Sequence, residues 1–201
     1  MKTTMDSTMQ TEDARGAPRP TARFTAAAAL ALAALAASAA EPIASLDVER
    51  YMGTWHQLAH YPNRFQRQCA RDTTATYRLI GSGAVEVINR CTTLEGKEDR
   101  VVGLARPRAA TIRAGRLMPA SLEVSFLPAW LRWVPVGWGS YDVISLSGDE
   151  RVAVVSEPSR RYLWVLSRDR SMGEERWQTV MALLGQAGFE LGRLQRDPVS
   201  P

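Results

Sequence analysis

The chain has 201 residues, of which 45% are hydrophobic and 23% charged, a composition that excludes an intrinsically disordered protein. Its formal net charge of +4 is spread along the sequence without a basic block, so nothing in it favours nucleic-acid binding.

The first 40 residues have the pattern of a signal peptide. A lead containing Arg15, Arg19 and Arg23 precedes TAAAALALAALAASAA, an apolar run too short to span a bilayer. Small residues at 37–39 or 38–40 offer a cleavage site, although an Ala-rich buried helix is an alternative. We expect residues 1–40 to be removed and residues 41–201 to form one exported, periplasmic domain, either free or associated with the outer membrane. No cysteine follows the cleavage site, so an N-terminal lipid anchor is not predicted.

Beyond residue 50, short segments of alternating apolar and polar residues recur between turn signals, as in antiparallel sheets. The predicted strands are TWHQLAHY, TTATYRLI, AVEVINR, DRVVGLARP, SLEVSFL, SYDVISLS, RVAVVSE and RYLWVLSR. Eight antiparallel strands with short turns most simply close on themselves, because closure removes both sheet edges. The predicted fold class is therefore all-β, an eight-stranded antiparallel up-and-down barrel.

The period changes after the eighth strand. In SMGEERWQTVMALLGQAGF, one helical stripe is formed by residues at i, i+3, i+4 and i+7, namely Trp177, Val180, Met181 and Leu184. Ser171 and Glu174 have the spacing of a capping box, which places the helix start there. A short final strand is predicted within FELGRLQR.

The chain has two cysteines, Cys69 and Cys91, which flank the hairpin formed by the second and third predicted strands. Export to an oxidising compartment favours a disulfide between them, with a pair of free thiols as the alternative.

The order of elements, together with Gly53-Thr54-Trp55, resembles the lipocalin family, in particular bacterial lipocalins and their apolipoprotein D-like relatives. The segments DVERYMGTWHQLAHYP, TATY, VINR and YLWVLSR carry the resemblance, which extends from Leu46 to about Arg196. It implies that Trp55 plugs the closed end of the barrel and that Arg168, at the end of the eighth strand, stacks over the indole. Gly53 lets the preceding turn close over this floor. The implied role of these residues is structural.

An inward Arg168 fixes which side chains of the eighth strand face the lumen. Strand alternation then places Leu166, Trp164 and Tyr162 inward above it. The rest of the predicted wall consists of Ala75, Tyr77, Val85, Val87, Val124 and Phe126. Side chains can just fill an eight-stranded barrel or leave room for one small ligand, and the resemblance favours a cavity. Its apolar lining suits an elongated lipid.

The segment LPAWLRWVPVGWGSY, residues 127–141, joins the fifth and sixth strands at the open end of the predicted barrel. Its tryptophans exceed what a turn needs, so we expect a rim that captures lipid, a membrane contact or a dimer contact. Packing on the outside of the barrel is the alternative. The ligand contacts predicted here are Trp130, Arg132, Trp133, Trp138 and Tyr141, with Arg132 suited to a phosphate or carboxylate.

The sequence predicts no catalytic residues, cofactor or metal site. His56 and His60 lack a neighbouring acidic or cysteine cluster, so we expect solvated or packed side chains. The resemblance implies a protein that is not an enzyme, a monomer or homodimer that carries or stores a fatty acid, lysophospholipid or similar lipid. Two alternatives stay open: a lipocalin-fold isomerase with a cysteine nucleophile, and an interaction module that uses residues 127–141.

Overall fold

The computed structural model describes residues 41–81 and 83–199, so the predicted signal peptide lies outside the described residues. The described residues form two α-helices, α1 (Val48–Tyr51) and α2 (Glu174–Gln186), in addition to short 3-10 turns. The strands in chain order are β1 (Leu46–Asp47), β2 (Gly53–His60), β3 (Cys69–Ile80), β4 (Ala84–Thr93), β5 (Glu98–Pro107), β6 (Thr111–Arg113), β7 (Arg116–Met118), β8 (Ser121–Ser125), β9 (Gly139–Leu146), β10 (Val152–Ser156), β11 (Leu163–Ser167) and β12 (Gln195–Arg196).

Eight antiparallel strands form the closed barrel that the sequence predicts. The ring runs β2-β3-β4-β5-β8-β9-β10-β11, and β11 pairs back onto β2 through Trp164 with His60 and Ser167 with His56. The prediction of fold class is therefore confirmed. All five residues of β10 are buried, since Ala153 and Val155 face the barrel interior and Val154 faces the helix.

One end of the barrel is closed by short elements that the sequence pattern did not reveal. The β6–β7 hairpin pairs with β1 in a small sheet. Leu46 of β1, Val48 of α1 and Leu117 of β7 are buried in the central apolar cluster. The Asp47 side chain accepts a hydrogen bond of 3.1 Å from the Arg50 N–H and so caps α1. Strands of two or three residues are too short to show periodicity.

Helix α2 packs against the outside of the barrel. Trp177, Val180 and Leu184 are buried there in a second apolar cluster with residues of β10 and β11, which confirms the predicted stripe. The predicted capping box is wrong, because Gly173 is the N-cap and no side chain caps the helix. Among the described residues, no helix combines the length and the apolar character that crossing a bilayer requires.

A short segment after the helix completes the barrel wall. Only β12 is extended within the predicted final strand, and it pairs with β2 through Gln195 with His60 and Arg196 with Ala59. The chain then continues along the barrel, where Asp197 N–H donates to the Leu58 carbonyl and Asp72 N–H donates to the Pro198 carbonyl. The tail thus lies beside the half of β2 that β3 does not pair with.

The disulfide between Cys69 and Cys91 is confirmed, with the two Cα atoms 5.5 Å apart. It joins β3 to β4 near the open end of the barrel, where their pairing is irregular.

Candidate ligand-binding lumen

Trp55 and Arg168 form the closed floor of the barrel. Trp55 has no exposed surface, and the Arg168 guanidinium carbon lies 3.9 Å from the centre of its ring. The guanidinium donates to the Thr54 carbonyl at 3.1 Å and the Arg50 carbonyl at 2.7 Å. Gly53 has a φ of +92°, and a Cβ there would lie 3.3 Å from Arg168. The floor is therefore stabilised by the stacking of Arg168 on Trp55 and by hydrogen bonds from Arg168 to two backbone carbonyls of the turn that covers the barrel end.

Side chains fill the lower lumen above this floor. The predicted wall residues Tyr77, Val85, Val87 and Leu166 are buried there in the central apolar cluster. A cavity of about 10 Å³, lined in part by Leu46, Tyr51, Met52 and Leu117, remains beside them. That space is at the lower limit for a single water molecule, so a ligand has no room at this level.

A larger open pocket lies at the outer side of the floor. It has a volume of about 470 Å³ and is lined by Arg50, Asp149, Glu150, Arg151 and Arg168. Its charged, solvent-facing walls do not suit an apolar ligand.

Three tyrosines form a hydrogen-bonded group, the tyrosine trio, in the interior. The hydroxyl of Tyr141 lies 2.9 Å from that of Tyr51 and 2.8 Å from that of Tyr77. Burial raises the pKa of Tyr77 to about 12 and the pKa values of Tyr51 and Tyr141 well above the ordinary value. The trio is therefore uncharged at neutral pH. Tyr141, predicted as a mouth residue, belongs to this group.

The lumen opens to solvent above the trio. Ala75, Val124 and Trp164 face inward against the central cluster but are only half buried. Phe126 covers Gly103 on the inner face, where a Cβ at Gly103 would lie 2.7 Å from the ring, and it is 42% exposed. Inward side chains of a closed barrel keep exposed surface only where solvent enters the lumen. The upper lumen is therefore a cup with an apolar wall.

A polar network adjoins Trp164 in the upper lumen. Trp164 Nε1 donates to Gln66 Oε1 at 3.1 Å, and Gln66 Nε2 donates to Gln57 Oε1 at 2.7 Å. Gln57 in turn donates to the Asp197 carboxylate at 3.0 Å, whose other oxygen lies 2.9 Å from His60 Nδ1. Sequence reasoning missed Gln57, Gln66 and Asp197, because their meeting depends on a contact across 140 residues. The network fixes the orientation of the Trp164 indole at the lumen wall.

The segment 127–138 forms an apolar knuckle at the open end, built from two short 3-10 turns. Trp130 is 73% exposed, Trp133 78% and Val136 92%. Arg132 does not project freely, since its Nε donates to the Leu127 carbonyl at 2.9 Å. The knuckle is thus braced internally while its apolar tips face solvent.

Trp138 lies where the prediction did not place it. Gly139 pairs with the inward Val124, so Trp138 points to the outer face of the wall. There the Arg106 guanidinium stacks 4.0 Å from the centre of the indole ring, whose Nε1 donates to the Arg132 carbonyl at 2.7 Å. Trp138 therefore braces the knuckle from outside and is not a lumen contact.

Tyr162 lies at the rim, just before β11 begins. Its ring stacks with that of Trp164 at 6.0 Å between centroids and contacts Phe65 at 5.4 Å. Glu157 holds the loop that carries Tyr162, because its carboxylate accepts hydrogen bonds from the backbone of Ser159 and Arg161. The ring contact of Tyr162 with Phe65 therefore links the loop before β11 to the loop after β2 at the mouth of the barrel.

Comparison with known proteins identifies the fold family. A family model described as a lipocalin-like domain matches residues 46–199. The chain belongs to the lipocalin family. Members of this family bind small hydrophobic ligands.

Two relatives match most of this lipocalin. It is 35% identical over 161 residues to temperature-induced lipocalin-1 of Arabidopsis thaliana, covering 80% of this chain and 83% of the relative. It is 33% identical over 175 residues to outer membrane lipoprotein Blc of Escherichia coli, covering 84% and 91%. Insecticyanin of the tobacco hornworm Manduca sexta is similar in structure, with a TM-score of 0.59 at 14% identity and coverage of 80% and 84%. That likeness shows the fold alone.

The histidines and cysteines are the remaining chemical candidates of this lipocalin. His60 contacts Asp197, whereas His56 has a pKa lowered by burial and by the nearby Arg170. Within the ranges 41–81 and 83–199, no three His, Cys, Asp or Glu side chains are grouped so that they could hold a metal ion. Both cysteine sulfurs are engaged in the disulfide, so the thiol nucleophile of the isomerase alternative is not available in this state.

Proposed function

We propose that this lipocalin is an exported carrier that holds a small hydrophobic ligand, such as a fatty acid or a lysophospholipid, in its upper lumen. The observation that carries the proposal is the solvent exposure of inward apolar side chains, above all Phe126 and Trp164, beneath an open mouth. An alkyl chain that entered this cup would leave water, which contributes about 0.8 kcal/mol for each buried methylene.

The leader sequence, the disulfide and the relatives named outer membrane lipoproteins support export. A domain without a lipid anchor stays a prediction from the sequence.

The knuckle supports a role for the mouth in collecting ligand from a membrane surface. Trp130, Trp133 and Val136 are exposed beside the entrance, and indole rings favour the boundary between lipid and water. A carrier of membrane lipid gains from such a contact, because an apolar ligand would pass from bilayer to lumen without crossing open water.

The proposal is tested with Trp164→Arg in delipidated protein. A guanidinium on the apolar lumen wall loses hydration without a partner and occupies ligand space, so binding of palmitate or lysophosphatidylcholine should fall at least tenfold while circular dichroism stays unchanged. Trp130→Arg, the same substitution on an exposed tip, should keep the equilibrium affinity. Normal binding by Trp164→Arg would exclude the lumen as the site, and failure of the unaltered protein to bind any lipid would refute the carrier function.

A further inference from the structure

In the upper lumen, two buried side-chain oxygen atoms, one from Thr73 and one from Asn89, have no hydrogen-bond partner among the described residues. Thr73 is only 6% exposed, and its Oγ1 makes no hydrogen bond to any part of the chain that the structure describes. The same holds for the buried Oδ1 of Asn89 on the neighbouring strand. An oxygen buried without a partner destabilises the folded state, so each such atom requires an explanation.

The register of β3 and β4 aims both side chains at the lumen. Asn89 pairs with Ala75, which packs against the central apolar cluster, and so it faces inward. Arg90 follows Asn89 and so faces outward, and Thr74, which pairs with Arg90, faces outward as well. Thr73, the residue before Thr74, therefore lies on the inner face. Thr73 and Asn89 are therefore neighbours on one stretch of the inner wall.

The charged side chains of the upper lumen restrict the charge of a ligand head group that could bind these two oxygen atoms. At the inward positions of the eight described barrel strands there is no lysine or arginine. The Asp197 side chain is 7% exposed within the polar network, and Asp99 faces inward opposite Cys91. His60 is committed to Asp197. A ligand carboxylate in the upper lumen would therefore meet two acidic groups and no cation from the described barrel strands, which disfavours its charged form.

We infer that Thr73 and Asn89 form a subsite for the uncharged head group of an amphiphile, a hydroxyl or a primary amide. This inference rests on the proposed carrier function and narrows it. The threonine hydroxyl both donates and accepts, and the asparagine oxygen accepts, so a neutral group with an N–H or O–H satisfies both. The apolar wall at Val124 and Phe126 then takes the alkyl chain. This lipocalin accordingly selects neutral amphiphiles over fatty acids of the same chain length.

The test compares lauramide with laurate, which share one alkyl chain and differ in charge, at about pH 8, where a carboxylic acid is ionised. Each ligand displaces the neutral fluorescent probe N-phenyl-1-naphthylamine from delipidated protein. We expect lauramide to bind roughly tenfold more tightly than laurate, as one or two hydrogen bonds and the absence of repulsion require.

Thr73→Val and Asn89→Leu remove the polar atoms and nearly preserve shape. Each should weaken lauramide binding by about two- to tenfold and weaken laurate binding less, because a carboxylate can accept from the Thr73 hydroxyl but has no proton to donate to the Asn89 oxygen. The melting temperature of the ligand-free protein should stay the same or rise, because an unpartnered polar group is replaced by an apolar one. Thr74→Val, one residue away on the outer face, is the matched control and should not change either affinity.

Equal affinity of the unaltered protein for the two ligands would overturn the head-group inference and leave the carrier function intact. The head-group inference would also be overturned if Thr73→Val and Asn89→Leu both preferred lauramide over laurate as strongly as the unaltered protein does. Binding of neither ligand would instead refute the proposed function itself. If Asn89→Leu fails to fold, Thr73→Val decides the question alone, because its substitution is isosteric.

Discussion

The floor of the barrel gives the most direct quantitative prediction. Trp55→Ala removes a fully buried indole, its stacking with Arg168 and its hydrogen bond of 2.9 Å to the Tyr51 carbonyl. Truncations of large buried aromatic side chains cost about 3–5 kcal/mol. For a domain of this size, that loss corresponds to a fall in melting temperature of about 6–20 °C.

The assay is urea unfolding followed by far-ultraviolet circular dichroism, with the free energy extrapolated to water. Trp133→Ala is the matched control, because the same atoms are removed from a side chain that is 78% exposed, and it should change stability by less than about 0.5 kcal/mol. Arg168→Met and the double variant complete a cycle, in which the coupling between the two residues should be about 0.5–2 kcal/mol.

A loss below about 1 kcal/mol for Trp55→Ala would show that the indole does not plug the barrel. A coupling near zero with a large loss for Trp55→Ala would refute the stacking alone. In that case Arg168 would act only through the two carbonyl groups that it bonds.

Three further predictions follow from other parts of the molecule. Reduction of the Cys69–Cys91 disulfide should lower the free energy of unfolding of the ligand-free protein by about 3 kcal/mol, because it releases a loop of 22 residues in the unfolded chain. Two alkylatable thiols in unreduced, unfolded protein would show that the disulfide is not formed. Changing Trp130 and Trp133 to Ser should slow lipid uptake from vesicles in stopped-flow fluorescence while affinity for monomeric lipid stays within about twofold; equal uptake rates would remove the membrane role. Since burial raises the pKa of Tyr77 to about 12, the neutral trio stabilises the fold fully below pH 10, and this contribution is lost as the pH rises towards 12. Phenolate absorbance near pH 10 that Tyr77→Phe removed from the folded protein would argue against a buried trio, whereas tyrosines outside the trio account for any absorbance that remained.

Much of the barrel could be predicted because its information is local. Alternation within each segment is read over five to eight residues, and closure follows from the number of strands. The inward position of Leu166 and Trp164 follows from the same alternation, counted from Arg168. Their role in ligand binding stays a prediction.

What could not be predicted depends on register or on distant contacts. Trp138 was expected at the mouth, but its side is set by the pairing of Gly139 with Val124, which composition does not reveal. Asp197 reaches the lumen only because the tail pairs with β2, and no local pattern marks that pairing. The β6–β7 hairpin was missed because three residues give no period.

The position of β2 also has a consequence for the order of folding. β2, β3, β4 and β5 form a meander of neighbours in sequence, in which residues 53–56 of β2 pair with β3. The other edge of β2 must find β11, and its last residues must find the tail, where the bond from Gln57 to Asp197 spans 140 residues. Closing such long loops costs chain entropy before any contact compensates for it, so the seam at β2 is expected to close last. Pulse-labelled hydrogen exchange during refolding would then show that the amides bonded between β2 and β11 are protected after those of β3–β5. Until that closure the barrel is open along its side, and an amphiphile present during folding would be enclosed laterally, without passing the mouth.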